Sequence, residues 1–136
     1  MGRIVALDPG TRRIGVAVSD PLGITAQPHG TLDATADDLD EQLRALAAET
    51  AAELIVVGLP VGLDGSEGTA ALGARVFARR VEDATGVPVE LRDERLTTVT
   101  AERVLLEAGL RRERRRDVRD RVAAAVLLQS YLDGVR

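Results

Sequence analysis

Short β-prone apolar runs open the chain, and helical spacing replaces them further along. Arg3-Ile4-Val5-Ala6-Leu7 and Arg13-Ile14-Gly15-Val16-Ala17-Val18-Ser19 flank the segment Asp8-Pro9-Gly10-Thr11-Arg12. Asp-Pro-Gly is a turn sequence, because proline fixes φ and glycine accepts positive φ. The pattern therefore predicts two strands joined by a hairpin. Residues 24–31 predict a third strand, and Pro28, which cannot donate to a ladder, places it at an edge. A helix is expected from Thr35 or Asp37. Leu39, Leu43, Leu46 and Ala47 recur at helical spacing, and Thr35 with Asp38 resembles a capping box. Leu54-Ile55-Val56-Val57-Gly58 is a continuous apolar run, as expected of a buried parallel strand.

The glycine-rich loop from Gly58 to Gly68 leads into a second helix that Gly86 ends. Val87 to Leu91 predicts another strand. A helix over about Thr97 to Glu107, stopped by Gly109, follows, and the last helix is expected over about Arg119 to Leu132. The order β-β-β-α-β-α-β-α-α implies an α/β fold: a mixed five-stranded sheet, a three-strand meander followed by alternating strands and helices, with helices on both faces. One domain over residues 1–136 fits the length.

Composition narrows the chemistry. Apolar residues make up 45 % of the chain but aromatics only 1 %, so the core must be built from Leu, Val, Ile and Ala. There is no Cys and one His, which excludes thiol catalysis, thiolate zinc sites and multi-histidine metal sites. That histidine, His29, follows Pro28 on the expected edge strand and reads as a surface or structural residue. No apolar run approaches membrane-spanning length, and strand-like sequence begins at once, so no signal peptide is expected and a cytoplasmic location is. Net charge is −4, yet all 18 basic residues are Arg, and seven of them fall between Arg111 and Arg121. Such a run reads either as a solvated helix face or as a phosphate-contacting arm, since Arg forks match phosphate oxygens. Glu113, Asp117 and Asp120 dilute its positive charge.

Carboxylates are the remaining candidates for chemistry. Open α/β sheets place their sites beyond the carboxyl ends of parallel strands. Asp8 ends the first strand, and Asp93 and Glu94 follow the last. If those strands are parallel and lie near the sheet centre, their ends share one rim. Asp120 lies in the first turn of the expected final helix, and Ala123, Ala124, Leu127, Leu128 and Tyr131 fall on its side of that helix. Docking of that face would aim Asp120 at the same rim. Acids gathered there would repel one another unless a divalent cation joined them, and Mg2+ prefers oxygen ligands. Two ions bridged by a carboxylate stabilise the attacking and leaving oxygens of a phosphodiester. Each acid has a simpler alternative. Asp8 can open a turn, Asp93 can pair with Arg92 or Arg95, and Asp120 can interact with a helix dipole or a neighbouring Arg. The glycine-rich loop could offer backbone N–H groups to a phosphate or serve as a plain connection. It is not a Walker A loop, which requires a lysine.

Four stretches carry a family resemblance. They are Leu7 to Asp20, Val56-Val57-Gly58-Leu59-Pro60 with Asp64 to Gly68, Asp93-Glu94-Arg95-Leu96-Thr97-Thr98, and Asp120 to Leu132. Together and in this order they resemble the YqgF family, also called RuvX, over nearly the whole chain. The resemblance implies an RNase H-like fold related to Holliday-junction resolvases. It also implies nucleolytic maturation of the 5′ end of pre-16S rRNA during ribosome biogenesis. The family's acidic positions fall on Asp8, Glu94 and Asp120, with Asp93 a further candidate ligand. One departure is visible: Arg12 stands where the family usually has Lys, which turns a point contact into a fork.

The expectation is phosphodiester hydrolysis with Mg2+ or Mn2+ held by Asp8, Glu94 and Asp120. Gly10, Thr11, Arg12, Arg95 and the run Arg111, Arg112, Arg114, Arg115 and Arg116 are the expected substrate contacts. Expected partners are nucleic acid (pre-rRNA, branched or single-stranded DNA) and ribosomal precursor particles, with no membrane. The chain would act as a monomer or a homodimer. Three rivals make different predictions. A junction resolvase for recombination and repair would ask for a two-fold dimer. A sugar-kinase-like or actin-like ATPase shares the Asp-x-Gly-Thr hairpin but needs two domains. A non-catalytic nucleic-acid-binding module would bind in a salt-sensitive way without Asp8.

Overall fold

The computed structural model describes residues 2–96 and 115–134, with side chains of the last helix from Val122 onward. The helix expected over Thr97 to Glu107, and Arg111, Arg112 and Arg114, lie outside the described residues.

Five strands form one mixed sheet: β1 (Arg3–Pro9), β2 (Arg13–Ser19), β3 (Ala26–Asp33), β4 (Ala52–Leu59) and β5 (Val89–Asp93). Their order is β3-β2-β1-β4-β5. The meander pairs antiparallel, whereas β1 with β4 and β4 with β5 are parallel. β5 is thus an edge strand, not a central one as the shared-rim argument supposed. Pro28 lies on edge strand β3 as expected. There Val16 pairs with Gly30 and Ala17 with Pro28, so exposed His29 is left out of the register as a bulge.

Two of the described helices cover one face. The apolar stripe of α1 (Leu39–Glu49) and the buried side of α2 (Thr69–Thr85) pack on Val5, Leu7, Val16, Ile55 and Val57. α1 begins at Leu39, later than expected. The Asp33 carboxylate takes both the N–H and the hydroxyl of Thr35, at 2.8 and 2.7 Å, so Thr35 caps nothing. Asp38 occupies the cap position without a side-chain cap bond. Gly86 ends α2 in the left-handed conformation, with φ 72°.

The last helix, α3 (Arg115–Gly134), covers the other face. It starts four residues before the expected Arg119. Ala124, Leu127, Leu128 and Leu132 pack on Ala6, Ala17 and Val56. Small sheet residues let the helix come close. Polar contacts fix its far end. Gln129 Oε1 accepts the Ala26 N–H and its Nε2 donates to the Ile24 carbonyl, both at 3.0 Å. Arg92 on β5 donates to the Ser130 hydroxyl at 2.9 Å and lies 6.0 Å from the centre of the Tyr131 ring.

Candidate active site

Strand alternation decides which acids can meet. Val5 and Leu7 face α1 and α2, while Ala6 faces α3. Asp8, two residues beyond Ala6, therefore belongs to the α3 face. On β4, Val56 faces α3, which puts Gly58 on that face as well. On β5, Val89 and Leu91 pack on the α1/α2 side, so Arg92 and Glu94 take the α3 side and Asp93 the other.

Asp8 lies between glycines. Its partner on β2 is Gly15, and on the β4 side Gly58 follows Val57, the partner of Leu7. Beyond β5 a 3-10 turn, Glu94–Leu96, carries the Glu94 side chain back across the end of β4. A β-carbon at Gly58 would collide with the Glu94 carboxyl. The missing side chain is what opens the passage from the edge strand to Asp8, two strands away. There the Asp8 and Glu94 carboxyls hydrogen-bond to each other. Burial, that hydrogen bond and the like charge of Glu94, in that order, push the Asp8 carboxyl up to about 9. In the metal-free chain this environment favours the protonated form of the Asp8 carboxyl.

Such a pair suits a hard divalent cation, which would displace the Asp8 proton and cancel the repulsion. Among the described residues no third acid joins it. Asp120 lies on α3 one turn before Ala124, but its side chain, like those of Arg115 and Arg116, is outside the described part. Asp93 is turned away. Its carboxylate holds Arg95 through Nη2 at 2.6 Å and Nε at 2.8 Å, and this pairing keeps Asp93 below the usual carboxylate range.

The remaining candidates sit around this rim. Gly10, Thr11 and Arg12 are exposed at the β1–β2 hairpin. Gly10 has a steric reason to be glycine, since a β-carbon there would approach the Arg13 carbonyl oxygen to 2.6 Å. Pro9, Gly10, Thr11 and Pro60 line one side of an open groove of about 470 Å³ that continues along Gly73 and Phe77 of α2. The loop after β4 closes on itself, with the Gly62 N–H donating to the Ser66 carbonyl at 2.8 Å. Sequence reasoning placed Gly58 where the buried strand meets the loop but missed it as a site residue; a glycine at the C-terminal end of a buried strand was the available signal.

The family model described as RuvX, Holliday junction resolvase, matches residues 2–134. The chain belongs to the RuvX family. Curated relatives described as "Putative pre-16S rRNA nuclease" agree in length. One from Moorella thermoacetica is 53 % identical, covering 96 % of this chain and 94 % of its own. One from Myxococcus xanthus is 50 % identical, covering 98 % and 89 %. Among solved structures, Thermus thermophilus RuvC in complex with a Holliday junction substrate covers 99 % of this RuvX chain and 96 % of its own, with a TM-score of 0.57 at 17 % identity. That likeness identifies the fold as RNase H-like, as the resemblance implied. Family and fold both agree with the α/β arrangement expected from the sequence.

Proposed function

We propose that this RuvX chain is a metal-dependent nuclease that hydrolyses phosphodiester bonds, with Asp8, Glu94 and Asp120 as metal ligands. The observation that carries the reading is the Asp8–Glu94 carboxyl pair, built on the sheet face that α3 covers. Bound Mg2+ or Mn2+ would supply charge stabilisation for the attacking and leaving oxygens. The chain's own residues do the rest. Gly58 leaves room for the Glu94 carboxyl beside Asp8, and Asp8 and Glu94 would present their carboxylate oxygens to the ion. Arg12 and the Arg111 to Arg116 segment supply guanidinium groups for substrate phosphates.

The substrate proposed is the 5′ leader of pre-16S rRNA, in the cytoplasm and on ribosomal precursor particles. The relatives' description supports pre-16S rRNA as the substrate. Cleavage of branched DNA is the second reading, favoured by the family's description as a Holliday junction resolvase. No helix among the described residues is long and apolar enough to cross a membrane.

The test compares the wild-type chain with Asp8→Asn on a leader-containing RNA, single-stranded DNA and a four-way junction, each with Mn2+ and with chelator. Expected is cleavage of the RNA that needs both the metal and Asp8. Preferred cutting of the junction would transfer the assignment to the second reading. Cleavage indifferent to metal and to Asp8 would exclude both.

A further inference from the structure

Arg95 follows Glu94 in the chain, yet its guanidinium lies on the opposite side of the sheet end. Nε donates to the Asp93 carboxylate at 2.8 Å and Nη2 at 2.6 Å. The Arg95 backbone N–H adds a further bond to Asp93, at 2.9 Å. The third guanidinium nitrogen, Nη1, reaches the loop after β4 and donates to the Gly62 and Leu63 carbonyl oxygens at 3.3 and 3.4 Å. Asp64 of that loop adds attraction at longer range. All three nitrogens therefore serve the protein itself. One side chain ties two segments together: the turn that bears Glu94 and the loop between β4 and α2.

We propose that Arg95 is a positioning residue, anchoring the Glu94 turn to the β4–α2 loop so that the Glu94 carboxyl stays seated over Gly58, opposite Asp8. The proposal rests on the reading of Asp8 and Glu94 as metal ligands. The turn follows an edge strand that pairs only with β4 among the described elements. Glu94 must cross the width of β4 to reach Asp8, and an ion could use both carboxyls only if they are held side by side. Gly58 gives that crossing room but no side chain to guide it. A planar fork on Asp93 with a further arm on the loop restrains the turn from the other side. The single ammonium of lysine could not make both contacts with the same geometry. The alternative role for Arg95, a contact to substrate phosphate, would require it to give up these bonds.

The test uses the full chain with Arg95→Ala, Arg95→Lys, Asp93→Asn and the double variant R95A/D93N. Calorimetry gives Mn2+ affinity, and kinetics give kcat and KM on the nucleic acid that wild type cleaves. Amide hydrogen exchange at residues 62–66 and 94–95 is followed without metal. Expected is a loss of Mn2+ affinity of about 10- to 100-fold in each single variant, the range seen when residues supporting metal ligands are removed. kcat falls with it, while KM and the salt dependence of binding stay unchanged. The double variant is no worse than either single one, since both break the same fork. Lysine recovers little, and exchange quickens in both segments.

A raised KM in Arg95→Ala, with a salt slope shallower by about one and Mn2+ affinity intact, would make Arg95 a phosphate contact and overturn the proposal. Tighter nucleic-acid binding by Asp93→Asn would overturn it too, because that is the effect of freeing Arg95 for substrate. Failure of the nuclease reading looks different: wild type then shows no metal-dependent cleavage. In that case exchange alone decides, faster exchange in Arg95→Ala supporting the anchor and unchanged exchange overturning it.

Discussion

Gly15 pairs with Asp8 across the hairpin, Gly58 leaves the space that the Glu94 carboxyl occupies, and burial with that second acid gives Asp8 an unusual proton affinity. Its raised value has a definite consequence for stability. The folded chain holds the Asp8 proton more tightly than the unfolded chain does, so this group favours folding most at low pH. That contribution is lost as pH climbs from the ordinary carboxylate range towards about 9. In chelator, Asp8→Asn is therefore expected to raise the melting midpoint at pH 8 more than at pH 5, as a calorimetric scan at the two values would show. Gly58→Ala acts from the neighbouring strand. Its φ is not in the left-handed region, so the backbone tolerates alanine, but the added methyl occupies the place of the Glu94 carboxyl. The variant should fold normally by circular dichroism and bind Mn2+ about tenfold more weakly or worse in a calorimetric titration, a loss typical of displaced ligands' supports.

Individual elements were readable to different depths. β2 coincides with its expected span, and the buried stripe of α1 is the one its spacing predicts, because both rest on local periodicity. Gly86 ends α2 for the steric reason that glycine usually does. β5 was displaced by two residues, since Pro88 contributes only its carbonyl, to the Ile55 N–H at 3.0 Å. The start of α1 was misread because Asp33, outside the expected cap, captured Thr35. Asp8 and Glu94 were legible as candidates, but the route between them was not. It depends on the order of parallel strands and on register across three of them, which no local pattern contains. Alternation along β5 likewise separates Asp93 from Glu94 only once the facing of Leu91 is known. The α3 face offers a direct test of how the second layer is held. Leu128 is fully buried against the small sheet residues, and Leu128→Ala should cost about 2–5 kcal/mol in urea unfolding.

As a whole, the molecule is a sheet clothed on both sides whose acidic pair sits on the side closed by the chain's last helix. A cation bound there would join β1 to the turn after β5 and so stabilise the folded state by mass action. Mn2+ should raise the melting midpoint of the wild-type chain at pH 8, and Asp8→Asn should abolish the increment. The opposite margin of the sheet has its own logic. On β3 a proline without an N–H and a histidine left out of register interrupt the outer row of donors and acceptors that a strand from another molecule would need. Replacing Pro28 and restoring an even pleat there would leave a more regular row of backbone groups for a strand of another molecule to meet.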